Sequence, residues 1–502
     1  MLSIDTRCYF QYHTSNSQIS HIFHHLLYCT HCMSTTQLIL YDQLGIHYCY
    51  DDVDSYLFLL SSKSPVSPYG PLHLNSFSKT IEREASQNLI KELEASGKQA
   101  HWNEVSNYES GIIEYAQRYK NLTFIIMTPS EPSLLRQFQK IQDKLKNHTI
   151  EIIFRPNTQF LISHDEFMRQ YPKPPVMETF YRWMRKKFDI LMDGDKPLGW
   201  KRNYDEENRK FDKKYTPSLD TTIEYPTSRS QALTILQNFV ADRLDRFGEL
   251  EDAMYSGDDR VHHSLISTSI NFGLLTPREV ISAVAQADTG LNNKEWFIRQ
   301  ILGWREYMYH RFWSYKDTIY TTNALNHTLP LPARFRRPEQ TPLQMNCINH
   351  VLTTVKNTGY SNHITRLMII GNFTLLMWYD PHDVNKRFWE MYADAFERVV
   401  TPNVLGMSQF ADGWNLATKP YISSANYINN MSDYCKSCFY DPKIKSWPKA
   451  CPMNYLYWNF IDKHRDLFKR QPYIVSNLAK VDIDDIKRQA HEFINSFWWW
   501  KN

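Results

Sequence analysis

A chain of 502 residues with 42% hydrophobic content has the material for two or three domains with sizeable cores. A net charge of only +3 excludes a uniformly basic nucleic-acid binder, so any DNA contact must come from local patches. Eight cysteines over this length do not make a disulfide scaffold and predict a reducing, cytoplasmic setting, and no apolar run nears the roughly 20 residues that span a bilayer. Aromatic residues reach 14%, which suits a stacking site or a planar cofactor, although core packing is their commoner use.

Residues 1–32 hold three cysteines and five histidines without core periodicity. They read as a non-core extension before a start at Met33, with Cys29 and Cys32 available only for adventitious zinc. From Met33 the chain reads as α/β. Buried-type strands are predicted at Gln37–Asp42, Ser55–Leu60, Thr123–Met127 and Ile150–Phe154. Helical patterns lie near Ser78–Ser96, Asn107–Lys120 and Pro132–Asn147. This alternation predicts a doubly wound parallel sheet over 33–165. No Gly-x-Gly-x-x-Gly follows the first strand, so a dinucleotide is not held by that loop.

A polar, basic stretch follows, including MRKKF and KRNYDEENRKFDKKY, and is predicted as a surface linker over 166–227. Its lysines and arginines are candidates for phosphate contacts. From 228 to 502 the pattern is helical, through Ser230–Phe247, Arg278–Ala285, Lys294–Tyr309, Met345–Asn357, His363–Met377 and Asp383–Val399. The fold class expected is therefore α/β plus all-α.

The helical part carries the chemistry. Cys347, Cys435, Cys438 and Cys451 combine a Cys-x2-Cys pair with a third and a distant fourth thiol. Four thiolates suit either tetrahedral zinc or an iron–sulfur cluster, and spacing does not choose between them. Ser264, Leu265 and Ser267 stand where small hydroxyls before a helix can hold a phosphate, or act as an ordinary cap. The 3.6-residue period puts Gln300, Trp304 and Tyr307 on one helical face. His363 lies three residues before Arg366, and Asp394 precedes Asn403 in a Pro-Asn turn.

In this order, RQILGWREYM, QMNC, HITRLMIIGNF, YADAFE, PNVLGMSQFADG, TKPY, NYINNMSDYCKSC and ACPMNYLYW resemble the photolyase–cryptochrome family. The likeness is to its bacterial iron–sulfur branch of (6-4) photolyases and related cryptochromes. It runs from about Leu38 to beyond Phe460. The resemblance implies an N-terminal antenna domain and a helical FAD-binding domain with a [4Fe–4S] cluster on the four cysteines. It implies FAD contacts from Ser264, Leu265, Ser267, Arg305, Arg366, Asp394 and Asn403.

The activity implied is light-driven repair of (6-4) photoproducts in UV-damaged DNA by a monomer. His363 would be the proton donor, since imidazole titrates near working pH. Asn362 stands where relatives often have a second histidine, and joins Tyr421 as a catalytic candidate. The lesion is expected near Tyr421, Gln300 and Trp304, and Lys186, Lys187 and Arg202 are candidate phosphate contacts. Asp42 matches the first acidic residue of a 6,7-dimethyl-8-ribityllumazine antenna site, while LLSSKSP lacks the second. Glu339 and Arg387 replace electron-relaying tryptophans, which leaves Trp378, Trp389 and Trp414 as alternatives. These departures keep a photoreceptor of the same branch as the alternative, whereas a nucleic-acid-binding protein with structural zinc becomes remote.

Overall fold

The computed structural model describes residues 34–62, 66–201, 203–218, 222–340, 343–417, 421–444, 448–469 and 472–499. The expected extension over 1–32 and the candidate Arg202 lie outside these residues.

The sheet comprises β1 (Thr35–Ile39), β2 (Ser55–Ser61), β3 (Gln99–Val105), β4 (Thr123–Met127) and β5 (Glu151–Arg155), all parallel, in the order β3-β2-β1-β4-β5. Its inner strands are almost wholly buried because both faces are covered: Leu38, Leu57, Phe124 and Ile126 are fully buried, and so are Thr36 and Gln37. Strand β3 was not legible as one, since QAHWNEV pairs along one side only and keeps polar residues. Helices α1 (Ser76–Ala95), α2 (Tyr108–Tyr119) and α3 (Pro132–Leu145) are the crossovers. Asn75 and Asn107 cap the first two by accepting from Ser78 N and Ser110 N, each at 2.9 Å.

The stretch 166–227, expected as a surface linker, carries regular structure. It contains α4 (His164–Gln170, starting just before it), α5 (Met177–Phe188) and a short hairpin, β6 (Met192–Asp193) with β7 (Lys196–Pro197). Phe180, Tyr181 and Met184 of α5 are fully buried, so the segment is part of the core. Ser34–Asn502 forms one compact unit. One apolar cluster runs from Leu38, Phe58 and Phe124 of the sheet into Ile270, Trp296 and Leu302 of the helical part. A second gathers Ile348, Phe373, Trp389 and Leu456.

Several predicted helices are interrupted for a reason. Leu291–Ile298, Arg299–Arg305 and Glu306–Tyr315 form one rod whose middle is π-helical, and Thr365–Gly371 and Pro402–Ser408 are also π-helical. Such widened turns concentrate at functional sites. The run expected over Asp383–Val399 breaks at 392–396, and Asn403 sits in the third π segment rather than in a turn.

The α/β and helical lobes meet at the carboxyl ends of β1 and β4, where the strand order reverses, which is where α/β sheets open a crevice. Here the chain fills it. Arg398 pairs with Asp42 at 3.2 Å and lies 3.8 Å from Glu131, while Tyr41 donates to Glu131. Arg305 donates to Glu306 at 2.8 Å and to the Gln159 carbonyl at 3.1 Å, and lies over the Phe160 ring. No helix of the described residues is long and apolar enough to cross a membrane.

Candidate functional site

The π segment Thr365–Gly371 presents Arg366, and the break at 392–396 presents Asp394. Their side chains form a bidentate pair, at 2.9 and 3.1 Å. Arg366 Nε also donates to the Ser361 carbonyl at 2.8 Å, and its guanidinium lies 3.9 Å from the centre of the Tyr392 ring. Asn271 donates to the Asp394 carbonyl at 3.0 Å, which ties the pair to the Ser267–Asn271 helix. Tyr225, whose hydroxyl donates to the Thr358 carbonyl at 2.6 Å, closes another side. Tyr225, Tyr392 and Asn271 were not singled out in the sequence, because an aromatic or an amide in an apolar context carries no local signature.

His363 opens this helix. The residue is exposed yet crowded by protein, and that crowding with the Arg366 charge lowers its pKa to about 4. Neighbouring His263 is also lowered to about 4, chiefly by burial, and its Nε2 has no partner. Asn362 also has a local structural task. Its Oδ1 accepts from Thr365 N at 2.9 Å and from Thr365 Oγ1 at 3.0 Å, which makes it the helix cap.

Ser264, Leu265 and Ser267 lie half-buried around the start of the Ser267–Asn271 helix. Leu265 is left-handed (φ 61°), and no side chain caps this helix, so its first amides have no side-chain acceptor. Thr268 Oγ1 and Ser269 Oγ are buried without partners. Unpaired hydroxyls, free amides and the Arg366–Asp394 pair match what an FAD diphosphate and ring demand, so these residues fit that cofactor. Asn403 is half-buried beside it, with Nδ2 donating to the Val399 carbonyl at 2.7 Å. Arg305 corrects the expectation: its guanidinium is spent on Glu306, Gln159 and Phe160 in the lobe junction. Asp42 does so too. It is 1% exposed with Arg398 and Ser130 on one oxygen, and the position after β2 is Ser62, so the residues do not fit an antenna there.

A second group gathers around Trp296. Tyr421 is half-buried in the electrostatic field of Arg209, whose guanidinium lies 4.6 Å over Trp296. Gln300 Nε2 donates to the Trp296 carbonyl at 3.3 Å. Trp304 is half-buried and packs on both cores. Lys186 and Lys187 are paired with Asp195 and Glu166 at 2.7 and 2.6 Å.

The four cysteines converge. Cys347 is in the first turn of Asn346–Thr358, Cys435 and Cys438 flank a 3-10 turn, and Cys451 caps Pro452–Lys463. Together they line one apolar cavity with Met345, Ala425, Ile428, Tyr434 and Tyr440. Burial pushes Cys451 up to about 12 and Cys435 up to about 11, so only a cationic guest makes thiolates of them. Among the described residues, no three His, Cys, Asp or Glu side chains approach closely enough for a single ion.

The family profile described as "Deoxyribodipyrimidine photo-lyase-related protein" matches residues 79–255. A (6-4) photolyase of Agrobacterium fabrum is 35% identical over 453 residues, covering 82% of this chain and 89% of that protein. The crystal structure of a bacterial class III photolyase from Agrobacterium tumefaciens superposes with a TM-score of 0.55 at 15% identity, over 74% of this chain and 79% of that one. The Synechocystis sp. cryptochrome does so with a TM-score of 0.54 at 13% identity, over 79% and 88%. A shared fold with both structures, and 35% identity along most of its length with a curated relative, establish that the chain belongs to the photolyase–cryptochrome family, on the branch of the (6-4) photolyases.

Proposed function

We propose that the protein is a (6-4) photolyase that repairs UV-damaged DNA with light. The observation that carries this is His363, an exposed histidine beside the Arg366–Asp394 pair. When bound, reduced FAD supplies an electron on excitation and recovers it at the end of the cycle. The chain does the rest. Arg366 and Asp394 hold the flavin ring, Ser264, Leu265 and Ser267 with the orphan hydroxyls of Thr268 and Ser269 hold its diphosphate, and Asn403 borders it.

Tyr421, Gln300 and Arg209, which covers buried Trp296, receive the flipped lesion, whose weakened stacking costs only a few kcal/mol to extrude. His363 is neutral at pH 7, and it takes up a proton as the anionic DNA strand arrives. It then gives that proton to the group transferring between the bases.

As the family resemblance implies, the apolar cavity lined by all four cysteines supports a [4Fe–4S] cluster. It ties Cys347 to the Tyr434–Cys451 segment as a staple. The photoreceptor reading is not favoured, because the relative matched along most of the chain is a photolyase. The test is illumination of the reduced protein with an oligonucleotide carrying a (6-4) photoproduct. Restored thymines, lost in His363→Ala with FAD retained, support the reading, and repair that persists in His363→Ala contradicts it.

A further inference from the structure

Helix α5 ends in Arg185, Lys186 and Lys187 and leads straight into the β6–β7 hairpin. The hairpin is pinned. Arg185, 3% exposed, donates through Nε to the Ile190 carbonyl at 3.2 Å and through Nη2 to the Leu191 carbonyl. Leu198 N donates to the Leu191 carbonyl at 2.8 Å, and Trp200 N to the Pro197 carbonyl at 2.9 Å. On this rigid base stands Trp200, whose ring is 69% exposed. Lys196 Nζ lies 3.7 Å from the ring centre and covers one face, which leaves the other to solvent.

Trp200 also has φ 60°, the left-handed region a bulky residue avoids. Folding alone does not favour an indole there, and such strain is a pointer to function. Its place is informative. A Cβ on Gly199 would stand 2.6 Å from the Tyr204 hydroxyl and 2.8 Å from Leu291, so the hairpin exit packs at the start of the helix that carries Trp296. Asp205 reaches Arg299 at 3.2 Å, and Arg209 covers Trp296 beside Tyr421. The intervening segment carries exposed Arg209, Lys210, Lys213 and Lys214.

We propose that Trp200 stacks on a nucleobase, the one left without a partner opposite the flipped lesion, while Arg209, Lys210, Lys213 and Lys214 follow the adjacent phosphates. The inference rests on the repair reading above. A single rigid ring among ammonium groups is complementary to an unpaired base between phosphates. An apolar protein surface or a bilayer would call for a broader apolar face than Leu198 and Trp200 provide.

The test uses full-length protein with FAD and three fluorescent duplexes: a (6-4) lesion opposite 2-aminopurine, a lesion opposite abasic sites, and an undamaged duplex with one bulged 2-aminopurine. Trp200→Ala should weaken binding to the first duplex about 5- to 100-fold. It should also abolish quenching of 2-aminopurine in the first and third duplexes, with FAD content and melting temperature unchanged. Trp200→Phe should recover most of both. On the abasic duplex wild type and Trp200→Ala should bind alike. Equal quenching by wild type and Trp200→Ala overturns the inference, as does a loss of equal size on all three duplexes or a change in self-association. If wild type has no preference for lesion duplexes yet quenches the bulged base through Trp200, the repair reading falls and the stacking site stands.

Discussion

At the residue scale, the Arg366–Asp394 pair and His363 divide the work. Removing one partner of a buried pair strands the other charge, so Arg366→Met or Asp394→Asn should cost about 3–5 kcal/mol and release FAD. Thermal melts and flavin absorbance after gel filtration check this. His363→Ala should keep FAD but lower single-turnover repair by about 10²- to 10⁴-fold. With its pKa at about 4, the protonated fraction of His363 rises about tenfold for each pH unit lost near neutrality. That slope belongs to the free protein; with DNA bound, where the phosphates favour the charged imidazole, repair yield per flash should fall as pH rises through the raised pKa, and a yield unchanged from about pH 6 to about pH 9 would sink the proton-donor role. The sequence located these residues through their order along the chain. It did not show the partner of Asp42, because the Arg398 pair joins residues distant in sequence.

At the element scale, the π segments were illegible because the 3.6-residue period is the only template a helical pattern offers. Two of them touch at the flavin side: Gly371 closes one, and a Cβ there would lie 2.3 Å from Ser408 Oγ and 2.9 Å from the Arg366 carbonyl. Gly371→Ala should destabilise by about 1–3 kcal/mol and weaken FAD binding, read as melting temperature and flavin dissociation constant. Strands β1, β2, β4 and β5 were legible within a few residues as apolar runs, whereas β3 was not. The cysteine segment behaves as one element through its guest. Cys438→Ala should give protein without iron absorbance and with less FAD, and a variant that stays soluble, keeps FAD and repairs normally would contradict the staple.

At the scale of the whole molecule, buried titratable groups set the pH range. Burial lowers His263 and His464 to about 4 and His327 to about 3. Their unfolded forms bind protons first as pH falls below about 6.5, so stability is lost as pH drops through the folded values. Burial raises Glu131 to about 8, and Glu306 and Glu82 to about 7. Their folded forms hold protons that the unfolded chain has released, so stability is lost as pH rises from about 4.5 through those values. Above about pH 6.5 only the carboxyls contribute, and stability should fall by roughly 2–4 kcal/mol by pH 8.5. Melts at fixed ionic strength, with Glu131→Gln flattening the alkaline side, check this.

The Asp42–Arg398 pair also sets a clock. The two residues are 356 positions apart, so a ribosome adding about 5–20 residues per second exposes the first about 20–70 s before it adds the second. Through that interval the nascent sheet carries an open acidic crevice with Asp42 and Glu131 unmatched. The lobe that folds first therefore waits for the lobe made last, and that waiting form is the one a chaperone meets.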